Sequence, residues 1–396
     1  MADLQDEQSP VGAEPGAVGA DDPPAAATTA ITATTAATAA TDVTTSATAV
    51  TTSATTAVPS EQLAPHSSER AASLLAVHPV ADGHNTLPWT LRHSPYHDIS
   101  TPEPGVDTDI PRLRAGGVGA QFWSLLVPGV ADTGGGGASD RIVAETLEQI
   151  DVGRNLVRSY PDALCLALCA DDMADARNRG RIASFLGPVS GRTLTDSLGT
   201  LRAFHALGVR SLAPAGAAWA DSGLTPFGHE VVREANRLAV LLDVTGCPDA
   251  VARQIIDASK APALLSHTAA GALVPHPANV SDETLLALRA AKGLCMVTFA
   301  ADQVGGRIAD VADHLDHVRA VAGPDCVGLG GSFGAEPRTA RPEGLADPAG
   351  YPLLIAELLE RGWPEGDVAL LTWGNAQRVL RDAEFTARAA HHRRPS

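Results

Sequence analysis

Val80-Ala81-Asp82-Gly83-His84-Asn85 is a short run, apolar at its start and polar where it ends. Seven more short runs follow it: Val118 to Leu125, Ile182 to Gly187, Val209 to Ala213, Val240 to Val244, Ala263 to His267, Leu294 to Phe299 and Cys326 to Gly330. They are largely continuous rather than alternating, the pattern of strands buried on both faces of a parallel sheet. Between them lie stretches with helical periodicity: Arg141 to Val157, Leu194 to Leu207, Phe227 to Leu238, Asp249 to Ser259, Asp282 to Ala291 and Ile308 to Val321. Thr195-Asp196 and Ser281-Asp282 read as helix starts, Gly208 and Gly293 as stops. Eight buried strands with helices between them predict a closed (β/α)8 TIM barrel rather than an open sheet. Tyr351 to Arg361 and Asp367 to Ala389 supply helices after the eighth strand.

The flanks read differently. Residues 25–58 are almost entirely Ala and Thr, with one charge at Asp42. Ala and Thr gain too little on leaving water to form a membrane span, and flanking anchors are absent. Residues 1–66 are therefore expected to be a disordered low-complexity tail, and 67–396 the barrel. The acidic start, Met1 to Glu7, is not expected to serve as a secretory leader. A net charge of -17 disfavours an electrostatic grip on nucleic acid or anionic membrane. Five cysteines (Cys165, Cys169, Cys247, Cys295, Cys326) are an odd number spread along the chain, which suits reduced thiols in the cytoplasm. Aromatics are only 4% of the chain, so Ala, Val, Leu and Ile must build the core.

Barrels of this kind carry their chemistry at the carboxyl ends of the strands. Strand one ends Asp82-Gly83-His84-Asn85-Thr86 and strand six ends Ser266-His267-Thr268, placing two imidazoles at the expected mouth. A hydrolytic metal needs about three protein ligands, and a pair of metals needs a bridging carboxylate besides. The remaining strand ends offer Val189-Ser190-Gly191, Pro214-Ala215-Gly216, Thr245-Gly246 and Gly331-Ser332-Phe333-Gly334, none of which supplies one. Gly330 to Gly334 also matches G-x-S-x-G, but a nucleophile elbow must run straight into a helix, and Ala335 to Pro342 reads as loop. His314 and His317 lie on a predicted outer helix beside Asp313 and Asp316, where a solvated face is expected.

Asp82-Gly83-His84-Asn85-Thr86-Leu87-Pro88-Trp89 resembles the D-G-H-N-D-L-P-W signature of the membrane dipeptidases, peptidase family M19. The block from Thr108 to Ser124 matches that family nearly throughout, as do Ser197 to Arg202, Trp219 to Ser222, Leu224 to Gly228, Val327 to Gly331 and Leu371 to Ala376. The resemblance covers roughly residues 70–385 and implies a barrel of the metal-dependent hydrolase type, which hydrolyses dipeptides with two zinc ions and often works as a homodimer. Carried over position by position, it retains two metal ligands, His84 and His267. The partner aspartate of the first histidine is Thr86, the bridging glutamate is Val189, and the strand-five histidine is Gly246. The catalytic aspartate falls on Ser332, the second aspartate of that motif on Gly334, and the substrate-binding arginine on Ala278. The family's Thr-His after strand four is missing, and the loop from Phe299 to Ile308 is short.

Without a bridging carboxylate, two adjacent dications repel uncompensated. Affinity built from several deprotonated ligands falls with each ligand removed, and loss of the acid–base group costs ~10²–10⁴ in rate. The expectation is a family homologue with little or no peptidase activity, zinc absent or weakly bound, and a small peptide or other small ligand at the mouth. The alternative is an active dipeptidase or other amidohydrolase with a rebuilt single-metal site on His84 and His267, recruiting His276 or Asp243.

Overall fold

The computed structural model describes residues 65–92, 97–102, 105–126, 137–334 and 340–392. The expected tail lies outside them up to residue 64; its last two positions already belong to helix Pro65–Val77. The barrel strands are β1 (Val80–Asn85), β2 (Val118–Trp123), β3 (Ile182–Leu186), β4 (Ser211–Ala213), β5 (Leu241–Asp243), β6 (Ala263–Thr268), β7 (Leu294–Thr298) and β8 (Val327–Gly330). All eight expected runs are strands.

Every pairing is parallel. β1 pairs β2 on one side and β8 on the other, and the ladder continues β4-β5-β6-β7-β8. β2 pairs β3, and Val189–Ser190, which continues β3, pairs β4. A bridge from Leu186 to Val209 starts that contact, and the barrel closes. An outer strand, Leu164–Leu166, which the sequence reading did not find, occupies the lower edge of β3 at Ile182 to Ser184. β4 takes over that edge only from Leu186 onward, so the outer strand fills the gap beneath it. Cys165 lies on this strand and Cys169 at the start of helix Ala170–Asn178, also unforeseen.

The core follows the composition. Val80, Val189, Leu186, Val297, Leu329 and their neighbours are sealed from solvent. Phe333 meets Phe299 and Tyr351 edge-on near the ends of β7 and β8, and Phe299 and Tyr351 are tilted to each other, with ring centroids 5.5–5.8 Å apart. Two glycines set how closely the strand ends approach. A Cβ on Gly330 would stand 2.1 Å from the Ser266 carbonyl oxygen, and one on Gly83 would stand 2.8 Å from the same atom. β1 and β8 can thus press against β6 where the histidines lie.

Three local expectations need correction. Thr195 and Asp196 have φ of 44° and 58°, so they form a turn, and the helix begins at Leu198 behind Ser197. Asp367 to Ala389 is not one helix: Glu365–Ala369 runs into a π-helical turn, Leu370–Gly374, before Asn375–His392. His314 does not face water. It is buried, and its Nδ1 accepts from the Ala270 amide at 3.0 Å, tying its helix to the end of β6. His317 pairs with Asp282, while Asp313 and Asp316 hold Arg361. Ser281 caps its helix as expected, its hydroxyl accepting from the Thr284 amide.

Among the described residues, no helix is long and apolar enough to cross a membrane. All five cysteines are unpaired.

Candidate functional site

β1 and β6 deliver His84 and His267 to the same place. Their rings stack at a centroid distance of 3.7 Å and an interplanar angle of 24°. His84 Nδ1 is buried without a hydrogen-bond partner among the described residues. Burial holds the His84 imidazole well below the usual histidine range, and the neighbouring His267 and Arg341 push the same way. His267 is also lowered, again by burial, with Asp243 opposing. Both rings are neutral near pH 7.

The other positions at which the resemblance implies metal ligands carry no imidazole or carboxylate. Val189 is fully buried and packs in the apolar core. The Thr86 hydroxyl reaches the Phe333 carbonyl at 3.5 Å, and Gly246 has left-handed backbone at φ 75°. Asp243 is present but engaged, with both oxygens accepting from Thr245 and Ser266. His276 lies in a separate cavity of about 320 Å³, lined also by Gly246, Cys247, Thr268, Ala278 and Asn279. Its Nδ1 accepts from the Ala278 amide, and its Nε2 is 3.8 Å from Asp302. Among the described residues, no three His, Cys, Asp or Glu side chains are placed to hold a metal ion. The donor set present does not fit a two-metal centre. A larger cavity, about 630 Å³ between Leu91 and Tyr160, takes no residue from the strand ends.

Ser332 has a left-handed backbone, φ 56°, the conformation a nucleophile elbow would need. Its hydroxyl, however, bonds to Thr298 Oγ1 at 2.9 Å and to the Gly330 carbonyl at 3.3 Å. No imidazole is among its partners, so nothing in contact would take its proton. Residues 335–339 of the expected loop lie outside the described residues.

A charged group that the sequence reading missed lies beneath the mouth. Arg341, its side chain 7% exposed, donates to the Gly331 carbonyl at 2.8 Å and to the Ser332 carbonyl. It stands 3.6 Å from Asp107 Oδ2 and over the Phe333 ring at 5.0 Å. Asp107 Oδ1 accepts from the Gly334 amide at 2.6 Å and the Thr108 hydroxyl at 2.8 Å. Asp82 is fully buried, and its Oδ1 accepts from the amides of His84 and Gly331 at 3.2 and 2.9 Å. Burial pushes its carboxyl up to about 7, against the lowering effect of those amides, Tyr351 and Arg341. Burial likewise raises the Tyr351 hydroxyl, with Asp82 adding to it. An aspartate inside an apolar strand was the one sequence signal for this network; Arg341 gave none.

A closed parallel barrel with imidazoles at the carboxyl ends of β1 and β6 is a barrel of the metal-dependent hydrolase type. Residues 68–394 match the family described as membrane dipeptidase, peptidase family M19, and the chain belongs to that family. Dipeptidase 3 of Mus musculus is 36% identical over 345 residues, covering 81% of this chain and 67% of that protein. Dipeptidase 3 of Homo sapiens is 35% identical over 339 residues, covering 80% and 67%. In fold, the chain resembles a probable dipeptidase from Pseudomonas aeruginosa, with a TM-score of 0.75 at 20% identity over 82% of this chain and 100% of that one. It also resembles a Rhodobacter sphaeroides metallopeptidase liganded with a phosphinate mimic of L-Ala-D-Ala, with a TM-score of 0.69 at 23% identity over 77% and 99%.

Proposed function

We propose that this family member has little or no dipeptidase activity, and that its barrel mouth holds a small peptide or other small ligand without a two-zinc centre. The observation that carries this reading is the stacked histidine pair. Where the resemblance implies the remaining ligands stand an apolar, buried Val189 and a side-chain-free Gly246, and Asp243 is already saturated with donors. Two dications need anionic groups between them, and none of these positions supplies one. A single metal on His84 and His267 would need a third ligand, and the two candidates, Asp243 and His276, are both engaged elsewhere.

Metal analysis of the purified full chain, paired with dipeptide hydrolysis in added zinc, tests this. Zinc well below one ion per chain is expected, with turnover no higher than that of a His84→Ala control. Stoichiometric zinc, with turnover that His84→Ala abolishes, would overturn the proposal. We further propose that the protein is a cytoplasmic homodimer that binds neither nucleic acid nor membrane. Light scattering in solution should then give twice the chain mass of 40.6 kDa; a monomer would contradict the dimer.

A further inference from the structure

Behind the paired imidazoles runs a hydrogen-bond chain whose direction is fixed by its far end. Asp243 closes β5 and is 1% exposed. Its Oδ1 accepts from the Thr245 amide at 3.2 Å, the Thr245 hydroxyl at 2.6 Å and the Ser266 amide at 3.2 Å. Its Oδ2 accepts from the Ser266 hydroxyl at 2.5 Å. A hydroxyl has one proton, and Ser266 has committed its proton to Asp243. Only lone pairs remain on Ser266 Oγ for His267 Nδ1, 2.7 Å away, so that ring nitrogen carries the hydrogen of the contact. In a neutral imidazole the other nitrogen is then a bare acceptor. Among the described residues, no protein group pairs with His267 Nε2.

We propose that Asp243 and Ser266 are positioning residues that lock His267 in the Nδ1–H tautomer, so that the barrel mouth receives a ligand through an N–H or O–H donor, such as an amide or ammonium group, at Nε2. The ligand class rests on the reading of the mouth as a ligand site; the tautomer does not. A bare anion finds no donor at Nε2. The His84 ring, stacked on His267, blocks one face and leaves the ring edge as the direction of approach.

Asp243→Asn gives the sharpest consequence. Thr245 donates to Oδ1 from both its amide and its hydroxyl, and the Ser266 amide, bonded at 2.8 Å to Thr245 Oγ1, also reaches it, so the Asn carbonyl oxygen must take that place and its amide NH₂ the place of Oδ2. The amide then donates to Ser266 Oγ, the Ser266 hydroxyl turns to donate to His267 Nδ1, and the proton on the ring moves to Nε2. Ser266→Ala removes the acceptor at Nδ1 altogether.

The test uses the full chain labelled with ¹⁵N-histidine, treated with chelator, and read by long-range ¹H–¹⁵N spectra above pH 7. His267 is assigned by its loss in His267→Asn. The expected wild-type pattern is that of Nδ1–H, inverting to Nε2–H in Asp243→Asn. If that variant does not fold, loss of the Nδ1–H pattern in Ser266→Ala serves. Glycinamide hydrochloride should shift the Nε2 resonance saturably, whereas sodium acetate at equal ionic strength should not. An Nε2–H pattern in the wild type, or an unchanged pattern in a folded variant, sinks the relay. A saturable shift with acetate alone, or with neither probe, sinks the donor class. Neither result touches the metal analysis, and stoichiometric zinc would defeat the inactive reading while leaving the tautomer measurement standing.

Discussion

Asp82→Asn is expected to be more stable than the wild type at pH 8, by a margin that shrinks as the pH falls. The Asp82 carboxyl is pushed up to about 7 in the folded protein, chiefly by burial, from an unfolded value near 3.8. Between those two values the folded state binds a proton that the unfolded state has released. Stability from this group therefore falls as the pH rises from about 4 to about 7, then levels off. The full shift corresponds to roughly 4 kcal/mol, of which about 3 kcal/mol should appear between pH 5 and pH 8. Asn keeps an acceptor for the amides of His84 and Gly331 and carries no charge beside the Tyr351 hydroxyl. Urea unfolding of both proteins at the two pH values checks this, because other titrating groups cancel in the difference. A gap between wild type and variant that is the same at pH 5 and pH 8 would contradict it.

The second large effect belongs to Arg341. Arg341→Met should cost about 3–5 kcal/mol, the range for stripping one partner from a buried ionic contact. The loss leaves the carbonyls of Gly331 and Ser332 without their donor and Asp107 without its counter-charge. It also frees Ser332, whose left-handed φ of 56° is held in part by that contact. Arg341→Lys should recover only part of the loss, because an ammonium keeps the charge but cannot fork between two carbonyls. Unfolding free energies of the three proteins at pH 7 decide the matter. An Arg341→Met variant within about 1 kcal/mol of wild type would show that the guanidinium contributes little.

The barrel was legible because its signal is local. Each apolar run had the length and continuity of a doubly buried strand, and the eight runs became β1 to β8 with ends shifted by a residue or two. Leu164–Leu166 escaped because three residues carry no period to read. Helix Ala170–Asn178 escaped because its apolar positions are few and mostly Ala. The break at Leu370–Gly374 was hidden because a π-helical turn keeps a helix-like pattern while changing its hydrogen bonds. His314 was misread for a related reason: helical spacing gave its neighbours on the helix, but not the Ala270 amide, just past β6, that takes it inside.

At the mouth, residue type alone placed His84 and His267 at strand ends, and left Thr86, Val189, Gly246, Ser332 and Ala278 where the resemblance implies metal ligands, a catalytic group or a substrate-binding group. What the chain does with those residues came only from closure of the barrel. Gly331 reaches Asp82 across 249 positions, and Ser266 reaches Asp243 across 23. Hydrogen-bond direction, ring stacking and the burial that displaces a carboxyl are properties of groups brought together by strand register. A linear sequence records which groups exist and their local period, whereas the charge balance among them is fixed by distances that only the packed barrel defines.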